Sequence, residues 1–326
     1  MRPDRIGLYE LIAFHVSNSG NLEIKVTFQI ILYSRSASPF EQTVHVQHKT
    51  SHYSTKQKKM TSISHLRLDP TIFNQVLYDC ILALWFRSHP HPPLADETDN
   101  ARWMGVGATP EAKASFDEQC RQISDAALSY LSPTNLQLPR FTTAAEDAAN
   151  HTLFAAPFLS QFTSISHTKK QNQDAALALT LLLDQLPRNS FRGPAQRIVY
   201  EHYDRLSRAV NAAVLATGID ECERFARVVG WRMWFYLTLM HSEDERDHEL
   251  LRRKNEEQIA WAEKEEDGQA LELLRKGEKF RVLHTDPLRR YRRYPWRNKW
   301  LGRESTVEEQ RYLDEGGLTF GTSGTE

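Results

Sequence analysis

An apolar run that leads straight into a polar turn restricts the fold more than any other feature. From Asp174 to Gln185 the chain carries Ala176, Leu177, Leu179, Leu181, Leu182 and Leu183, too apolar for a surface helix, so a buried one is expected. Then come Leu186-Pro187-Arg188-Asn189-Ser190-Phe191-Arg192-Gly193-Pro194. Pro187 lacks a helical donor and disfavours the α region at Leu186, so the helix is expected to end there. Asn189 suits a turn, Gly193 a left-handed cap and Pro194 the first turn of the next helix. Asp184 and Arg188 therefore stand at a buried helix end, where an unpaired charge costs several kcal/mol, and they are expected to pair. The pair reads as a polar clasp that fixes the turn or as the floor of a ligand site. On motif chemistry alone the clasp is the commoner use.

The rest of the chain after residue 60 is also helical in pattern. Asp69-Pro70 opens a run with Ile72, Val76, Leu77, Cys80, Ile81, Leu84 and Trp85 on one stripe, and Pro110 opens a second with Phe116, Cys120, Ile123, Ala127 and Tyr130. Residues 132–173 loosen into Ser, Thr, Pro and His and read as an insertion. Pro194 to Leu215 is expected to be a helix closed by Gly218. Asp220 with Glu223 resembles a capping box for a helix through Trp231–Leu237, apolar nearly all round and therefore central. Ser242 with Glu245 is a second capping box, expected to start a long charged helix from Glu243 to about Lys276. Ser305 with Glu308, and Thr306 with Glu309, overlap as boxes for a last helix to Leu313. No clean 34-residue repeat is visible.

Residues 1–59 differ. Leu22, Ile24, Val26, Phe28 and Ile30 alternate as in a strand, followed by a polar run, and the segment reads as a disordered extension or a mis-assigned start ahead of Met60. Residues 316–326 read as a flexible tail. The formal net charge of -1 excludes a global pull toward nucleic acid or membrane, so any basic surface has to be local. The three cysteines, Cys80, Cys120 and Cys222, are far apart and odd in number, which points to reduced thiols in a cytoplasmic compartment. No apolar run approaches the roughly 18 residues of a membrane span. No metal-ligand spacing, phosphate loop or cofactor motif stands out.

Arg281 to Arg303 concentrates basic charge among Tyr291, Tyr294, Trp296 and Trp300. Guanidinium groups beside aromatics suit RNA through Arg289–Trp300, or a small anion held bidentately, or simple neutralisation by the acidic helix before them. His241-Ser242-Glu243 has the residue types of a hydrolase but not a strained nucleophile turn, and a helix start explains it equally.

Leu183-Asp184-Gln185-Leu186-Pro187-Arg188-Asn189 resembles the signature of the domain-of-unknown-function 924 family. Met240-His241-Ser242-Glu243 and Arg293-Tyr294-Pro295-Trp296-Arg297-Asn298 with Leu301-Gly302-Arg303-Glu304-Ser305-Thr306 agree with it, as does His284. The likeness runs from about Leu84-Trp85-Phe86 to Leu313, with Trp103 and Phe116-Asp117 in its first part. It departs where Arg292 stands for glycine and Trp296 for histidine. The resemblance implies an all-α, tetratricopeptide-like domain over residues 60–315 and no particular activity. If alternate helix ends share an edge, Asp184, Arg188, Asn189, His241, Glu243, Arg297, Asn298 and Arg303 would surround one cavity. The expected function is binding of a small anionic ligand or acidic peptide. The alternatives are an enzyme with His241 or Glu243 as base and Arg188, Arg297 and Arg303 holding an anionic substrate, and an RNA-binding protein.

Overall fold

In the computed structural model, residues 60–86, 102–105 and 107–319 are described, together with the backbone of two strands nearer the N-terminus. Those strands, β1 (Leu8–His15) and β2 (Lys25–Leu32), pair antiparallel and belong to a separate compact unit, Met1–Gln57. The strand expected over Leu22–Ile30 thus lies at β2; the expectations for the rest of residues 1–59 and for 320–326 fall outside the described residues.

The second unit, Lys58–Glu326, is almost wholly helical. Its longer helices are α1 (Gln75–Phe86), α2 (Pro110–Tyr130), α3 (Lys169–Ser190), α4 (Asp204–Ala216), α5 (Val229–Met240), α6 (Glu245–Lys264), α7 (Gly268–Tyr291) and α8 (Val307–Asp314). Two short strands, Thr61–Ser62 and Leu136–Gln137, pair in parallel beside them. α3 is the hub. Thr168 and Gln171 form a reciprocal capping box at its start, and every residue from Gln173 to Asp184 is buried, so α1, α2, α4 and α5 pack around it. The same core holds an aromatic cluster in which Trp85 and Trp103 both meet Trp234 edge-on at 5.0 Å.

Four local expectations need correction. α3 does not stop at Pro187 but continues to Ser190. Proline removes one donor, yet its own carbonyl still accepts from the Phe191 N–H at 2.9 Å, and the buried Leu186 keeps the turn in place. Asp220 does not cap a helix; it is buried and accepts from the Tyr236 hydroxyl at 2.8 Å, while α5 begins only at Val229. Asp244, not Ser242, caps α6, accepting from the Arg246 N–H at 3.0 Å. The single charged helix to Lys276 is two helices, because Glu266 turns left-handed and Asp267 starts α7 by accepting from the Ala270 N–H. Acidic side chains that cap a new start compete with the helix they interrupt.

The helix after Pro194 contains a π-helical turn at Val199–Tyr203, which rotates Tyr200 relative to Asp204 and the rest of α4. α7 ends at Arg292, whose φ of 62° is left-handed. Glycine would take that conformation without the Cβ penalty that Arg292 bears.

Candidate functional site

The C-terminal end of α3, the π-helical turn with α4, the end of α5 and the segment after α7 converge on a cavity of about 880 Å³. Asp184, His241, Glu243, Arg297 and Arg303 all line it. A second, smaller cavity of about 90 Å³ holds Arg188 and shares Tyr200, His241 and Arg297 with the first. Asn189 and Asn298 line neither. Asn189 donates to Asp117 at 2.7 Å, where Arg192 also binds, tying α3 to α2. Asn298 donates to Ser305 and to Glu309, both at 3.2 Å, and so anchors α8.

Asp184 is 1% exposed and sits at the centre of the polar network. His241 Nδ1 lies 2.8 and 3.0 Å from its two oxygens, Gln185 donates at 2.6 Å, and Arg188 Nη2 is 3.3 Å away. The shorter partner of Arg188 is Asp204, at 2.7 Å, so the expected clasp between Asp184 and Arg188 is one side of a larger cluster. Burial opposes the charge of Asp184, but His241 and Arg188 outweigh it and hold the carboxyl below its usual value. Burial pushes His241 down, Arg188 adds to this, and Asp184 only partly offsets it. The histidine is therefore neutral at neutral pH beside an ionised carboxylate. A carboxylate only accepts, so the proton is on Nδ1, and Arg188 Nε, 3.3 Å from that atom, meets it donor to donor and forms no second hydrogen bond.

Arg297 is the other fixed point. It is 7% exposed, its Nη2 donates to the His241 carbonyl at 2.7 Å, and the same nitrogen lies 3.4 Å from Asp204. That last contact is an ion pair without a hydrogen bond, and Asp204 Oδ2 is left without one. The guanidinium is flanked by Tyr200 and Tyr294, with ring centroids at 4.5 and 4.9 Å. Its Nε is buried and unpartnered.

Of the other arginines of the wall, exposed Arg140 has no acidic partner among the described residues, and the rest are matched. Arg303 holds Glu243 through both guanidinium ends at 3.0 to 3.1 Å, and Glu243 also accepts from the Tyr294 N–H at 3.0 Å. Arg205 forks onto Asp147 at 2.7 and 2.9 Å, Arg208 meets Asp244 and Asp247, and Arg293 meets Glu309. Thr238, 3% exposed on the same wall, has a hydroxyl with no partner.

Sequence reasoning missed Tyr200, Asp204, Arg205, Arg208 and Thr238. Tyr200, Asp204 and Arg208 follow one another at four-residue steps, and this polar stripe was a legible signal. A charged stripe ordinarily faces water, so its burial here was not. Among the described residues, no group of three or more His, Cys, Asp or Glu side chains is placed to hold a metal ion, and no helix is long and apolar enough to cross a membrane.

No curated protein matches the chain. Among solved structures it is similar to a protein of unknown function, ATU0120 from Agrobacterium tumefaciens, at 24% identity and a TM-score of 0.43, over 76% of this chain and 100% of that one. A family model described as bacterial protein of unknown function (DUF924) matches residues 81–317, and the chain belongs to that family.

Proposed function

We propose that the larger cavity binds a small molecule carrying a carboxylate or phosphate, with Arg297 as the principal anchor. The observation that carries this reading is the buried Arg297 Nε, an N–H without an acceptor on a wall common to both cavities. A buried unsatisfied donor costs about 1–3 kcal/mol, more when charged, and an anionic oxygen removes that cost. A volume of about 880 Å³ suits a compact ligand more than an extended acidic peptide. The RNA reading of Arg289–Trp300 gains less support: Tyr294 and Trp296 are buried and stack on each other at 4.5 Å, while Arg292 and Arg293 are paired with Glu245 and Glu309.

The test is thermal unfolding of the full chain with inorganic phosphate and with adipate, beside Arg297→Gln. Ligand at a hundredfold excess over Kd adds about 2.7 kcal/mol, or roughly 5–10 °C for a domain of this size. The wild type should respond to at least one of the two anions and the variant should not. An unresponsive wild type, or an equal response from both, sinks the reading.

A further inference from the structure

Two features of the larger cavity are more than an anion anchor requires. The first is the state of His241. Nδ1–H is spent on Asp184, and Nε2, on the opposite side of the ring, makes no hydrogen bond among the described residues. The side chain is 20% exposed and lies on the wall of both cavities. A neutral imidazole oriented by a buried carboxylate, with its other nitrogen free toward solvent, is the arrangement that makes histidine an effective proton acceptor. The second feature is that two residues of the same wall carry unpartnered buried donors, Arg297 its Nε and Thr238 its hydroxyl, one turn before His241 at the end of α5.

We propose that His241 is a general base acting from Nε2, that Asp184 is its positioning residue, and that the reaction is hydrolysis of a carboxylic ester bearing a second, free carboxylate. The proposal rests on the anion-site reading, since Arg297 is to hold the free carboxylate. Among the described residues no serine or cysteine side chain hydrogen-bonds His241, so the nucleophile is water. Nε2 takes one proton as the water oxygen bonds to the ester carbon. The carbonyl electron pair moves onto its oxygen, which accepts from Thr238. Collapse of that intermediate breaks the bond to the leaving alcohol, whose oxygen takes the proton back from Nε2, giving acid, alcohol and a neutral His241. Asp184 steadies the transient imidazolium through Nδ1–H, while Arg188 opposes it. Asp204, Arg297 and His284 are the other ionisable groups that act on this ring or adjoin it.

The experiment is hydrolysis of the mono-4-nitrophenyl ester of adipic acid by the full-length chain, followed from pH 5 to 8. Turnover should exceed that of imidazole at equal concentration and rise with a midpoint below 6.5, reaching a plateau by neutral pH. His241→Gln should lose about a hundredfold or more. Asp184→Asn should lower the plateau at least tenfold and move the midpoint down further, because an anion next to the ring is gone; a merely structural role would leave the midpoint in place. Should either variant fail to fold, diethyl pyrocarbonate acylation of wild-type His241 should abolish turnover and hydroxylamine should restore it. Wild-type rates no better than imidazole, or turnover that survives acylation of His241, overturn the proposal. If phosphate or adipate still raises the unfolding temperature while the ester is untouched, the base is refuted and the binding reading stands.

Discussion

Lowering the pH from 7 to 5 should cost this protein much of its stability, through three buried histidines. His202, His248 and His284 are 5, 2 and 6% exposed. Burial pushes the first two down to about 4 and His284 to about 3. Each ring is committed to neutral hydrogen bonds: His202 Nε2 to the Leu131 carbonyl at 2.6 Å, His248 between Thr285 and the Ser242 carbonyl at 3.0 Å each, and His284 Nδ1 to the Phe280 carbonyl at 2.8 Å. An unfolded histidine titrates near 6.5, so below that pH the unfolded chain binds more protons than the folded one. The stability these residues confer is complete above 6.5 and is lost as the pH falls toward 4. At pH 5 the loss is about 2 kcal/mol per residue, or about 6 kcal/mol for all three, against a typical total of about 5–15 kcal/mol. Among the carboxylates, Asp184, Asp244, Glu278 and Glu309, held below their ordinary values, lose their contribution only as the pH falls through the carboxylate range, and Asp220, which burial raises, acts in the opposite sense. Urea unfolding at half-unit steps measures the slope. In His202→Gln, whose amide can still donate to Leu131, the loss should shrink by about 2 kcal/mol. A wild-type loss under about 2 kcal/mol would refute the reasoning, for it would mean these rings are protonated inside the fold.

Three further outcomes test the packing of the site. Asp147→Ala should cost about 3–5 kcal/mol by stranding Arg205, whose side chain is only 9% exposed, and lower the unfolding temperature by roughly 6–20 °C; Asp147→Leu with Arg205→Met should recover most of it, and calorimetry decides. Asp244→Ala should destabilise far more than Ser242→Ala in urea titrations, by about 3 kcal/mol against less than about 1, because Asp244 both caps α6 and satisfies Arg208. Arg292→Gly should raise the unfolding temperature by a few degrees, since it relieves a left-handed residue and gives up only an exposed ion pair to Glu245; a fall would show that the ion pair matters more.

What could be read along the chain was what depends on near neighbours. The burial of α3 was legible in Ala176 to Leu183, the start of α2 in Pro110, and the last helix in Thr306 and Glu309, whose reciprocal bonds are both formed. Residues within one or two turns decide these features, so spacing suffices. The local errors arose where two local rules competed. Pro187 was tolerated because burial of Leu186 and of the proline itself outweighed one lost hydrogen bond, and Asp244 displaced Ser242 as the cap because Arg208, 36 residues earlier in the chain, also reaches it.

The site itself belonged to the tertiary structure. Asp184 meets His241 across 57 residues, Arg303 meets Glu243 across 60, and Asn189 meets Asp117 across 72. Nothing in local pattern separates Arg297, buried with an unused donor, from Arg293, matched to Glu309. Both are arginines in one basic stretch. The sequence by itself determined that a buried helix would carry charged residues at its end and that they would need partners. Which partners they found, and which donors were left without an acceptor, only the folded chain decided, because the desolvation that makes a charge seek company depends on what every other element covers.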